Sequence, residues 1–148
     1  LKSVLIGNNV TTIGNYAFRN CYALASVIIP NSVTTIGNYA FNSCDGLASV
    51  TISNSETTIG VYAFAYCYAL ASVIIPNSVT MINNYAFADC YGMAHYYVYS
   101  TTPPTMGGIN SLSNIPADCV IHVPAASLSD YQKATNWSAH AAKMVGDL

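Results

Sequence analysis

The chain repeats itself every 23 residues, and that period constrains what it can fold into more than any other feature. Residues 1–23 read LKSVLIGNNVTTIGNYAFRNCYA, 24–46 LASVIIPNSVTTIGNYAFNSCDG, 47–69 LASVTISNSETTIGVYAFAYCYA and 70–92 LASVIIPNSVTMINNYAFADCYG. The second and fourth units agree at 18 of 23 positions. All four phenylalanines (Phe18, Phe41, Phe64, Phe87) share one column, and Cys21, Cys44, Cys67 and Cys90 share another. A unit this short cannot close a core alone; it buries its apolar columns only by stacking on neighbours as rungs.

Column periodicity describes the rung. In LASVIIP, Val27 and Ile29 alternate with Ser26 and Ile28, and the β-branched residues predict a short strand of a parallel sheet. Pro30 ends the strand, and Asn31 and Ser32 turn the chain. The TTIGNYAF stretch returns along the far side and has room for one or two helical turns at most. Leu24, Val27, Ile29, Val33, Ile36, Ala40, Phe41 and Cys44 are expected inward, with their equivalents one period away. Glu56 stands where other units carry Val10, Val33 and Val79. Because an unpaired buried carboxylate is costly, that column is expected near the rim.

The repeat decays toward the C-terminus. Residues 1–92 form four repeats; 93–124 form degenerate fifth and sixth rungs, with strands at Met93–Tyr99 and around Ile121–Val123; 125–148 form a helical cap. Ile121 and Val123 are expected inward, Val120 and His122 outward. Ser127 and Asp130 have capping-box spacing, so a short helix is predicted there and a second after Asn136. Leu128, Tyr131, Trp137, Ala141, Met144 and Val145 are expected to cover the last rung. Leu1 already occupies a core column with no cap or signal peptide before it, which reads as a piece of a longer repeat protein.

Composition excludes several functions. With 7% charged residues and a formal charge of −2, the chain has no basic footprint for nucleic acid or an anionic membrane. It has no apolar run long enough for a transmembrane helix. At 53% hydrophobic it has ample material for one core.

The repeats resemble the BspA-like (Treponema-type) leucine-rich-repeat proteins, whose units read roughly L-x-S-[VI]-x-I-P-x-S-V-T-x-I-G-x-x-A-F-x-x-C. The match runs over residues 1–92, and STTPPT followed by ADCVIHVPAASLSDYQKATNW resembles a closing segment of such proteins. The resemblance implies an α/β solenoid: a right-handed superhelix with a parallel sheet on one face, short helical or irregular turns on the other, and a C-terminal helical cap. It also implies a bacterial cell-surface or secreted setting and adhesion or protein binding, with a host or neighbouring-cell protein as partner.

Chemistry-bearing residues are few. Stacked cysteines point the same way and hold their Cβ atoms too far apart for disulfides, so they are expected as inert core thiols. Cys119 and His122 are expected on opposite strand faces, with no acid spaced to orient the imidazole, which argues against a nucleophile. His95 and His122 are expected on neighbouring strands, but two ligands do not make a zinc site. No cofactor, metal site or catalytic residue is expected. The candidate site is the outward face of the sheet: Leu5, Ile28, Thr51, Ile74, Tyr97 and His122, flanked by His95 and ended by Tyr99. At His95, Tyr97, Tyr99 and His122 the repeat departs from its own consensus toward aromatics, which are enriched in binding hot spots. Strand dimensions give that face roughly 240 Å² against about 800 Å² per partner in a standard interface, so a single copy should bind weakly. Tyr16, Tyr39, Tyr62 and Tyr85 form a regular packing column, whereas Tyr22, Tyr66, Tyr68 and Tyr91 lie around the cysteines, where they shield the loop or stack on a glycan. The leading expectation is a non-enzymatic binding module; the alternative is a spacer that displays another module.

Overall fold

A computed structural model of the chain describes residues 1–55 and 58–148, so the placement expected for Glu56 lies outside the described residues. The strands are β1 (Thr12–Ile13), β2 (Ser26–Ile28), β3 (Thr35–Ile36), β4 (Ser49–Thr51), β5 (Thr58–Ile59), β6 (Ser72–Ile75), β7 (Met81–Ile82), β8 (His95–Val98), β9 (Thr105–Met106), β10 (Val120–Val123) and β11 (Met144–Gly146). Among the described residues one α-helix, α1 (Leu128–Lys133), falls between β10 and β11.

The strands form two parallel sheets. The larger runs β11-β10-β8-β6-β4-β2 and the smaller β1-β3-β5-β7-β9. In the repeats each strand pairs one period on, Ser26 with Ser49 and Ser72 with His95 in the larger sheet, Thr12 with Thr35 in the smaller. Period-2 alternation holds: Val27 and Ile29 are buried, Ser26 and Ile28 exposed.

Three features differ from the sequence reading. The Thr-Ile pairs, expected within the turns, form a second sheet, because parallel stacking in register lets adjacent rungs satisfy one another's backbone groups there too. The larger sheet has six strands, but displaced by one rung: the segment around Leu5 forms no described strand, and the sixth place is taken by β11. Met144 and Val145, expected in a covering helix, lie in that strand, paired with Ile121 and His122. The spacing is again 23 residues.

The side opposite the larger sheet is built from linked turns. The Ala17 amide donates to the Gly14 carbonyl (3.3 Å) and the Cys21 amide to Phe18 (3.2 Å). Tyr16 and Asn20, third in these four-residue turns, have φ of 61° and 61°, the signature of type II geometry. The same left-handed pair recurs as Tyr39 and Ser43, Tyr62 and Tyr66, and Tyr85 and Asp89. The intervening amides of Tyr16, Phe18 and Asn20 donate across to Asn38, Ala40 and Asn42 of the next rung. Amides thus alternate between closing a turn and joining two rungs.

The core is a set of files along the stack. The rings of Phe18, Phe41, Phe64 and Phe87 stack at 5.1, 5.2 and 5.3 Å. Leu112 takes the next place: Phe87 donates its amide to Ser111, as Phe41 and Phe64 donate to the residues preceding the next phenylalanine. The half-rung after β8 is therefore present, although its sequence lacks the YAF motif. The thiols of Cys44, Cys67 and Cys90 each donate to the phenylalanine carbonyl of the rung before, at 3.2, 3.3 and 3.2 Å. All five cysteines are free.

Beyond β10, the Tyr131 hydroxyl donates to Ser100 O and the Trp137 indole to Pro104 O, each at 2.7 Å. Both rings are buried and meet edge to face. Ser127 precedes α1, but its hydroxyl donates to Thr101 O (2.8 Å), so the expected capping box is replaced by a tie to the loop after β8. The second predicted helix is a 3-10 segment, Ser138–Lys143.

Candidate interaction surface

The outward column of the larger sheet is continuous through Ile28, Thr51, Ile74, Tyr97, His122 and Val145, each paired in register with the next. Ile28 is 70% and Ile74 52% exposed. Nothing inside the rung accepts these side chains, because their neighbours in sequence fill the core. Tyr99, just past the end of β8, is exposed and lines a shallow depression with Asn54, Ile74, Pro76 and Asn77. Leu5 is 96% exposed but stands apart from the strand ladder, so the expected column reaches it only by extrapolation.

At the C-terminal end the column becomes a cluster. The Tyr97 ring stacks on His122 at 4.4 Å, and His95 lies 5.7 Å from Tyr97. His95 Nδ1 and His122 Nε2 are 3.0 Å apart. His122 Nδ1 meets the Asp147 carboxylate at 2.9 and 3.0 Å. An ionised carboxylate only accepts, so His122 carries its proton on Nδ1 there. With both rings neutral, His122 Nε2 accepts from His95 Nδ1–H, leaving the His95 Nε2 lone pair toward solvent. One added proton can be held by either ring while the contact survives. A second would set two donors against each other.

Sequence reasoning missed Asp147 and Val145. The signal was present: Val145 lies one 23-residue period after His122, and Asp147 two residues further on. Cys119 is buried in the core, and its thiol donates to the Val120 carbonyl at 3.9 Å, not to either imidazole. Among the described residues no hydroxyl or thiol is hydrogen-bonded to either imidazole, so the Asp–His pair has no nucleophile in contact to activate. The described residues hold no group of three His, Cys, Asp or Glu side chains placed for a metal.

The family profile for the BspA type leucine-rich repeat region matches residues 1–103 in six copies, and the chain belongs to that family. A leucine-rich cell-surface protein from Faecalibacterium prausnitzii superimposes with a TM-score of 0.75 at 28% identity, over 99% of this chain and 35% of that one. The leucine-rich-repeat protein of T. pallidum gives a TM-score of 0.75 at 24% identity, over 84% of this chain and 59% of that one. The pneumococcal vaccine antigen PcpA gives 0.67 at 14% identity, over 97% and 39%. This chain thus spans about a third to three-fifths of these proteins. No curated protein matches. The chain is a repeat domain of the kind found in bacterial surface proteins, a class that serves in protein interaction or as structural modules. No helix among the described residues is long and apolar enough to cross a membrane.

Proposed function

We propose that this domain is a non-enzymatic protein-binding module of a secreted or surface-displayed bacterial protein, and that the larger sheet's outer face is its contact surface. The observation that carries the reading is the cluster of His95, Tyr97 and His122. Where the consensus rung displays Ser and Ile, these positions carry aromatic and imidazole rings that are packed against each other yet still partly open to solvent. Rings held in place by neighbours lose little freedom on contact, which suits them to anchor a partner. Ile28, Thr51, Ile74, Tyr99 and Val145 extend the face along the strands; Leu5 belongs to it only where a partner also reaches the first rung. The partner fitted to such a face is a protein of a host or neighbouring cell.

The test is the double substitution Tyr97→Ala with His122→Ala, in a pull-down from host extracellular protein with folding checked by circular dichroism. Loss of the captured partner, about tenfold or more, is expected because hot-spot truncations cost 2 kcal/mol or more. Unchanged capture would instead favour the spacer reading.

A further inference from the structure

Away from the sheet face, the rung has another column in which the repeat breaks its own rule. Tyr22, Asp45, Tyr68 and Tyr91 occupy equivalent positions, just past the cysteine file and before the strand. The backbone keeps them in register, because the Gly46 amide donates to Tyr22 O (3.1 Å) and the Ala69 amide to Asp45 O (3.1 Å). Where the tyrosines are adjacent they stack: Tyr68 and Tyr91 lie 5.7 Å apart with planes 1° from parallel. The second rung interrupts the file, placing a short carboxylate between Tyr22 and Tyr68.

The result is a notch one rung wide. Two rung spacings are about 10 Å, so rings facing each other from these two positions would leave about 6 Å between their faces. Asp45 lies in register between the two tyrosines with Ser43 and Gly46 beside it, all three half-buried, and its side chain is far shorter than the tyrosine it replaces. Tyr66, edge to face with Tyr68 at 6.4 Å, adds a wall on the third rung. Tyr22 is 59% and Tyr68 43% exposed, so the walls are open to a ligand.

The two carboxylates of this region differ in state. Asp89 is engaged by the Tyr91 hydroxyl (2.9 Å) and the Asn114 amide. Asp45 has no side-chain hydrogen bond and no ion pair among the described residues. The Tyr68 phenol is pushed above its ordinary range, by desolvation first and then by the charge of Asp45 and Asp89, so the negative potential reaches the rings. No lysine or arginine occupies the neighbouring columns of this file; Arg19, on the first rung, lies over Tyr16 and Tyr39 instead.

Aromatic faces around a free carboxylate favour a cation, and a gap wider than the stacking distance of a flat group favours a rounded one. We infer that the Tyr22–Asp45–Tyr66–Tyr68 notch binds the side-chain ammonium of a lysine in a partner protein, with methylated lysine the better fit. The inference does not depend on the sheet face. A lysine side chain brings positive charge alone, whereas a phosphocholine headgroup would bring its phosphate to the Asp45 and Asp89 side, and the notch therefore favours the protein source.

The probes are an N-acetylated Gly-Lys-Gly peptide amide, its trimethyllysine and acetyl-lysine counterparts, and phosphocholine, titrated against the whole chain while the Gly46 amide and tyrosine ring signals are followed by NMR. Both charged peptides should saturate at millimolar concentration, the trimethyl form more tightly, and the acetylated form should be weaker by about fivefold or more, the loss of one exposed cation–π contact. Asp45→Asn and Tyr68→Leu should each weaken binding. Asp45→Tyr restores the column's own residue, so it should fold normally and abolish binding by filling the notch. Absence of saturation, equal response to the acetylated peptide, full binding by Asp45→Tyr, or saturation by phosphocholine with the peptides silent would each overturn the proposal.

Discussion

Cys44, Cys67 and Cys90 show how one residue can serve two rungs. Each thiol fills a core position and donates to the phenylalanine carbonyl one rung back, at a site too deep for water to replace it. Burial pushes Cys44 and Cys90 up to about 12 and Cys119 to about 11, so the thiolate that reacts with disulfide reagents is scarce at pH 8. Cys21, in the first rung, is only half-buried. Native labelling at pH 8 should therefore be confined to Cys21, with all five thiols appearing in denaturant; rapid native labelling of a second thiol, read by mass spectrometry, would contradict the packing. Burial of the column was legible from its regularity. The thiol's hydrogen bond was not, because it depends on where the neighbouring rung's carbonyl points. The left-handed tyrosines were equally hidden: φ near 60° is uncommon outside glycine and asparagine, so a column of Tyr reads as packing and not as a turn position.

At the scale of the element, the phenylalanine file distinguishes interior rungs from the first. Phe64 has a ring on each side and is fully buried, while Phe18 is stacked on one side and only partly buried. Phe64→Ala should cost about 3–5 kcal/mol and Phe18→Ala distinctly less, since the cavity term requires surroundings that cannot collapse. Urea denaturation of the two variants measures the difference; equal losses would mean that the first rung is as tightly held as the third. Phe64 was predicted inward from column position alone. Leu112 was not, because residues 99–119 lose both the period and the motif, and the backbone bonds from Phe87 to Ser111 and from Asp89 to Ser113 reveal that the file continues.

For the whole molecule, the last rung is held by polar ties as well as apolar burial. Tyr131, Trp137 and Lys143 donate to carbonyls of Ser100, Pro104, Pro116 and Ala117, segments that would otherwise leave those groups bare. His140 lies in the same closing segment, with Nε2 buried and lacking a partner. Desolvation, and then the charge of Lys143, lowers its affinity for a proton. The unfolded chain therefore binds that proton more readily than the folded one. The contribution of neutral His140 is complete above about pH 6.5 and is lost as the pH falls from there toward its lower folded value. The urea midpoint should accordingly drop less between pH 7.5 and 5 in His140→Gln than in the parent chain, and an identical drop in both would show that His140 is protonated without penalty in the fold.

By itself, the sequence determined the stacking. A 23-residue unit with one inward side to its strand can bury its Leu, Val, Ile, Phe and Cys columns in no other way, and their side-chain periodicity named the inward and outward residues of β2, β4, β6, β8 and β10 in advance. Tertiary structure decided the endings and the meetings. Whether Met144–Gly146 became helix or strand depended on an open edge at β10 that offered backbone partners. Whether Asp147 reached His122, or Asp45 opened a gap between two tyrosines, depended on how far one rung sits from the next. Local pattern encodes which way a residue faces, but contact across rungs is a matter of distance, and distance exists only once the chain has stacked.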